Sequence, residues 1–253
     1  MFVLSSPLEQ FSILPLISIS FLGFDFSITN SVIISAVGFF CFLFALYSLL
    51  SEKENFYVAP NRIQYVVETI YNVVYGLIND NIGSTGKAFF PYVFTLFIFI
   101  LISNIIGLVP YSFTVTSHLI VTFALALMTF IGINLVCIRE HGINILSLFL
   151  PPGSSIVLAL LLVPIELVSY VFRPISLSVR LFANMMAGHT LLKVIAGFAW
   201  AMMLAGGGLM LAHTLPLAIL VILMLLELGV AAIQAYVFTI LTCIYINDAI
   251  HLH

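Results

Sequence analysis

Charge is what this sequence has least of. Lysine and arginine together number seven, and aspartate and glutamate ten, so 7% of the 253 residues are charged, where soluble domains carry about 25%. That shortage excludes a solvated globular surface. The formal net charge of −3 excludes a basic face for nucleic acid. Cysteine is nearly as scarce: Cys41, Cys137 and Cys243 lie in separate apolar runs without CxxC pairing, which leaves neither a disulfide framework nor a thiolate metal site. There is no HExxH motif and the six histidines are scattered, so metal, haem and other cofactors are not expected. The first fifteen residues lack a cationic stretch and read as neither signal nor transit peptide, although the Met1 to Ser5 stub is open to trimming. No internal repeat or soluble domain is visible.

Long apolar runs dominate what is present, at 63% hydrophobic residues, and they predict a single all-α integral membrane domain. Residues 1–30 form an outer N-terminal segment in which Ser6 to Phe11 reads as extended and surface-lying. Residues 31–50 are uncharged over about the twenty positions that span a hydrocarbon core. Glu9 and Asp25 precede that run without any Lys or Arg, whereas Lys53 and Arg62 follow it, so the N-terminus is expected outside. Residues 60–85 alternate at helical period between Ile63, Val66, Val67, Ile70, Val73, Val74 and Leu77 and the polar Gln64, Glu68, Asn72 and Asn79. That pattern predicts an amphipathic helix on the inner membrane surface. Upright spans follow over 88–110 and 118–138, the second returning inward to Arg139-Glu140-His141.

The remainder, residues 155–247, is too long for ordinary spans. From Ser155 to Ala205 only Pro164 and Pro174 interrupt the apolar pattern, and as one helix this stretch would reach about 75 Å. It is either two spans turning near Arg173-Pro174 or one long tilted helix. Gly206-Gly207-Gly208 then makes a turn, and Leu209 to Asn247 runs on with Glu227 as its only charge. Two overlong neighbours predict a steeply tilted antiparallel hairpin.

The hairpin also holds the polar groups that stand out against this background. Glu166, Ser169, Arg173, Ser176, Arg180 and Asn184 recur at steps of three and four, which places them on one helical stripe. A cation at membrane depth costs at least ~2.5 kcal/mol unless it meets water or a partner. Glu166 is about 21 Å from Arg180 along a helix, so the counter-charge of Arg180 must lie on another helix or another protein. Arg173, beside Pro174, suits a snorkelling position as well as a functional one. Glu227 lies deep in its run and can exchange protons, and Gln234 and His213 share its helical face. His189 points away from the arginine stripe, as a packing residue or, facing Glu227, as a proton relay. Carboxyl and imidazole can pass protons and arginine cannot, so together they suit proton movement around a fixed charge.

The stretch Pro164-Ile-Glu166-Leu-Val-Ser169-Tyr, continuing through Arg173-Pro-Ile-Ser176-Leu-Ser178-Val-Arg180-Leu-Phe-Ala-Asn184-Met-Met-Ala-Gly188-His189, resembles subunit a of the F-type ATP synthase in its mitochondrial form, as does Leu226-Glu227 through Gln234-Ala-Tyr236-Val. The likeness covers essentially the whole chain, and its two ends, Ser6 to Phe11 and Asp248 to His253, look most like fungal members. The resemblance implies a non-catalytic, proton-conducting stator subunit in the mitochondrial inner membrane, with its N-terminus toward the intermembrane space and its C-terminus toward the matrix. Its partners would be the rotating c-subunit ring, other stator subunits and membrane lipid, in a complex that dimerises. Arg180 would face the ring carboxylates, His189 and Glu227 would line the outer half-channel, and Glu166 and Asp248 the inner one, with Asn184 and Gln234 close to the arginine. Bacterial relatives carry the acid and the histidine in exchanged places.

Two other classes compete. A secondary transporter coupled through Glu227 would show related halves with matching broken helices, and residues 1–140 hold no counterpart of Arg180 or Glu227. A purely structural membrane subunit would leave the buried charges without a role.

Overall fold

The computed structural model describes residues 7–21, 24–25, 27–51, 62–109, 112–142, 156–207 and 209–250. Helices dominate: α1 (Asn30–Ser51), α2 (Arg62–Asn81), α3 (Phe90–Gly107), α4 (Leu119–His141), α5 (Ile156–Ala205), α6 (Leu209–Ala212) and α7 (Thr214–Ile250). Thr85–Gly107, Leu119–His141, Leu161–Ala205 and Thr214–Ile250 are each long and apolar enough to cross a membrane. The chain is an all-α, multi-pass integral membrane protein.

The 50 residues of α5 form one helix, which excludes a turn at Arg173-Pro174. Pro164 and Pro174 each leave a carbonyl one turn back without its N–H partner, and membrane helices tolerate this where neighbours and local adjustments re-satisfy the backbone. Helix α7 is shorter than the Leu209 to Asn247 run at its start. The chain breaks at His213 because Pro216 has no N–H to return to Ala212, whereas a proline within a first turn needs none. The Leu217 N–H then bonds the His213 carbonyl at 3.3 Å. His213 therefore stands at this break, one residue before α7.

The N-terminal segment departs from the extended reading. Pro7–Phe11 is a 3-10 helix, closed where both the backbone N–H and the hydroxyl of Ser12 donate to the Glu9 carbonyl. Two small antiparallel pairings follow, β1 (Pro15–Ile17) with β4 (Ile28–Thr29) and β2 (Ser20–Phe21) with β3 (Phe24–Asp25). Asn30 ties them to α1: its side-chain carbonyl accepts the Leu14 and Ser31 N–H groups, and its amide donates to the Ser12 carbonyl. Residues 1–6, 52–61, 110–111, 143–155 and 251–253, which include Lys53 and part of the Ser6 to Phe11 and Asp248 to His253 motifs, lie outside the described residues.

The chain divides into two compact units, each taking part of the long helices. The first comprises residues 1–45, 100–118 and 181–234. There Gly107 lets α3 end close to the following segment, since a Cβ on it would stand 2.8 Å from Thr114 Cγ2 and 3.5 Å from Met185 Cε. The second unit comprises residues 46–99, 119–180 and 235–253. In it α2 buries Val74, Leu77 and Ile78 but exposes Val66 and Val73, so part of its apolar face is open to lipid or a partner. Tyr71 and Tyr75 of α2 stack on each other, Tyr71 meets Phe90 of α3 at a tilt, and Phe90 stacks on Phe94. Helices α4 and α5 meet through the hydroxyls of Thr122 and Ser178 at 3.2 Å and through Tyr170, which donates to the Asn134 side-chain carbonyl.

The close approach at Gly107 is testable. Gly107→Ala should lower the thermal stability of the detergent-solubilised chain by about 1–3 kcal/mol through overpacking. Gly132→Ala, where an added Cβ meets nothing within 4 Å, should be neutral or stabilising in the same melts.

Candidate functional site

Hydrogen-bonding side chains buried in an apolar helix pair must find one another, because unpaired polar groups are costly there. In the first unit α5 and α7 run antiparallel, and two such meetings mark their seam. The His189 Nε2 stands 3.7 Å from the Glu227 Oε1. The Asn184 amide donates to the Gln234 side-chain carbonyl at 2.8 Å. Glu227 and Gln234 are each only 5% exposed, and their spacing of seven residues keeps them on one face of α7.

Gly188 explains how the carboxyl reaches that place. A Cβ there would lie 2.5 Å from Glu227 Oε1 and 2.8 Å from its Cδ, so the acid rests directly over the α5 backbone. Small residues at helix interfaces allow this approach. The 3.7 Å gap to His189 exceeds the 2.7–3.2 Å of an N–H···O bond, and His189 Nε2 and both Glu227 oxygens have no hydrogen-bond partner among the described residues. A sub-ångström shift would join the two into a proton-exchanging pair.

Asn104 belongs to the same seam and was missed as a site residue, though its isolation in the apolar run 88–110 was the available signal. It is fully buried on α3, its amide donating to the Ala231 carbonyl at 3.3 Å. Its side-chain oxygen is buried with no partner among the described residues. Ala231 lies between Glu227 and Gln234 on α7, so Asn104 adds a third polar group to their face.

The second unit joins α5 and α7 through charge. Arg173 Nη1 stands 3.4 Å from Asp248 Oδ2, with the guanidinium 5.2 Å and 4.9 Å from the ring centres of Tyr170 and Tyr245. Arg173 is thus turned onto Asp248 and not merely snorkelling. Arg180, the last residue of this unit's 119–180 segment, is exposed, and among the described residues neither it nor Glu166 makes an ion pair or hydrogen bond. Its flanks are apolar and exposed, with Val179 and Phe172 both open. Among the described residues no group of three or more His, Cys, Asp or Glu side chains could hold a metal ion.

These features define a multi-pass helical membrane protein with a buried carboxyl–imidazole pair and an exposed intramembrane arginine. The ATP synthase A chain family matches residues 30–247, and this chain belongs to it. It is 61% identical over 249 residues to the "ATP synthase subunit a" of Pylaiella littoralis, across 98% of this chain and 99% of that protein. It is 50% identical over 252 residues to the "ATP synthase subunit a" of Chondrus crispus, across 100% of this chain and 98% of that one. Both relatives are algal, whereas the two ends had looked most like fungal members.

The contact over Gly188 yields a compensation test. Gly188→Ala should destabilise the chain because its methyl overlaps the Glu227 carboxyl, and Glu227→Asp, one methylene shorter, should relieve it. Thermal unfolding of the double variant should then show a coupling of at least about 0.5 kcal/mol between the two changes.

Proposed function

We propose that the chain is the proton-conducting stator subunit of an F-type ATP synthase, forming two aqueous half-channels against a rotating c-ring and converting proton flow into rotation. The observation that carries the proposal is Arg180: a cation exposed on an apolar helix flank, unpaired among the described residues. A membrane-depth cation must meet a counter-charge, and a ring carboxylate passing this face supplies it. The family match and the two relatives support the same reading.

In this reading protons enter through His189 and Glu227, whose facing geometry lets one hand a proton to the other, with Asn104, Asn184 and Gln234 extending the polar path along the seam. A ring carboxyl that reaches Arg180 gives up its proton, because the guanidinium stabilises the carboxylate. Arginine keeps its own proton, so it blocks direct passage between the half-channels. Glu166 and Asp248 take the departing proton on the other side. Each proton crossing releases about 2.3 kcal/mol per 100 mV. ATP forms elsewhere in the complex, and the chain is not itself catalytic.

The setting proposed is the mitochondrial inner membrane, with the N-terminus toward the intermembrane space and the C-terminus toward the matrix, where Arg139 and His141 mark the inner side. Partners are the c-ring, other stator subunits and lipid, in a complex that dimerises. Both α5 and α7 keep most of their apolar residues exposed, more so than Thr85–Gly107, which leaves them surface for such partners.

Vesicles holding the assembled complex test this. Arg180→Ala, with assembly verified, should abolish proton-driven ATP synthesis and leave either no coupled flux or a passive proton leak. Synthesis at the unchanged rate would overturn Arg180 as the cation that meets the ring. In the same assay the exchanged pair His189→Glu/Glu227→His should conduct better than either His189→Ala or Glu227→Ala, because a facing acid and imidazole are kept.

A further inference from the structure

Resting on that reading, we propose that Arg173 determines ion specificity at the inner mouth of the proton path: it is a built-in counter-ion that keeps alkali cations off Asp248 while protons pass. The side chains of Arg173 and Asp248 are 29% and 34% exposed, and Asp248 lies two residues before the end of α7, which in that reading puts the carboxylate at the inner aqueous mouth. A bare carboxylate there would attract any mobile cation, and sodium or potassium far outnumbers protons near neutral pH. The guanidinium answers that charge permanently. It has only donors, so it cannot relay protons itself.

The setting of Arg173 fits a fixed charge better than a flexible one. Its guanidinium is held between the rings of Tyr170 and Tyr245, an arrangement suited to its planar, weakly hydrated group. Tyr170 is anchored in turn by its hydroxyl on Asn134, whose amide donates to the Phe130 carbonyl at 2.9 Å. On the same side His141 Nε2 lies 3.0 Å from the Ile250 carbonyl, joining α4 to the end of α7.

The contact nevertheless leaves the carboxylate usable. Its single Nη1–Oδ2 approach of 3.4 Å is looser than the 2.7–2.9 Å of a closed charge-assisted bond. A cavity of about 20 Å3 adjoins it, lined by Cys137, Tyr170, Arg173, Tyr245 and Asp248 among others, which is space for about one water molecule. The other titratable groups facing this cavity, Cys137 of α4, Tyr170 of α5 and Tyr245 of α7, carry no positive charge, so among the described residues Arg173 is the cation that can hold the site.

The test uses the complete complex in vesicles and compares proton-driven ATP synthesis in choline medium with synthesis at about 150 mM sodium on the Asp248 side. The unchanged protein should be indifferent to the exchange. Arg173→Gln should keep most of its synthesis in choline and lose it several-fold in sodium, with Arg173→Lys in between. An assembled Arg173→Gln complex as indifferent to sodium as the unchanged protein would overturn the proposal. If Arg173→Gln does not assemble, Arg173→Lys decides: partial sodium inhibition supports the proposal and full indifference overturns it. Either result leaves the conducting role itself to Arg180→Ala, whose effect is read in choline alone.

Discussion

The pairing of a carboxyl with an imidazole inside a helix seam is the interaction on which the protein's polar chemistry turns. Water solvates a lone charge cheaply, but an apolar medium does not, so each ionisable group placed there must be matched or kept neutral. Glu227 and His189 face each other 3.7 Å apart, a sub-ångström shift from meeting this requirement mutually, and both can change charge. A pair that satisfies burial in either proton arrangement is what a conducting path requires, and a permanently charged pair would hold its protons in place.

The backbone makes that pairing possible. Because Gly188 presents no side chain, the Glu227 carboxyl can lie against α5, and the antiparallel course of α5 and α7 then brings Asn184 opposite Gln234. In the second unit the same two helices are joined by Arg173 and Asp248. Polar contacts therefore fix the register of an otherwise uniformly apolar pair, whose Leu, Ile and Val surfaces would slide with little preference. Arg180, like Glu166, takes no part in these contacts among the described residues, so its charge is left open to a partner.

Much of this was legible beforehand. The scarcity of charge marked an all-α membrane protein, and the step pattern from Glu166 to Asn184 placed Arg180 on a polar stripe. Glu227, alone in a long uncharged run, stands out in sequence as a carboxyl at membrane depth, and the structure buries it. Less legible were features whose signal is steric. Pro216 starts α7 later than the apolar pattern suggests, and the Pro7–Phe11 segment closes as a 3-10 turn through Ser12 where extended chain was expected. Asn104 is a lone amide in an apolar run, and nothing local shows that it reaches Ala231 across more than a hundred residues of sequence.

By itself the sequence determined the membrane class, where its apolar runs lie and which residues call for a partner, because these follow from composition and from a helical period that each segment carries locally. It left open which group answers which. The choice of Glu227 for His189, of Gln234 for Asn184 and of Asp248 for Arg173 was decided by tertiary structure alone. Periodicity places a side chain on a face of its own helix, whereas the partner across the seam depends on register and on the clearance that a residue such as Gly188 leaves between two backbones.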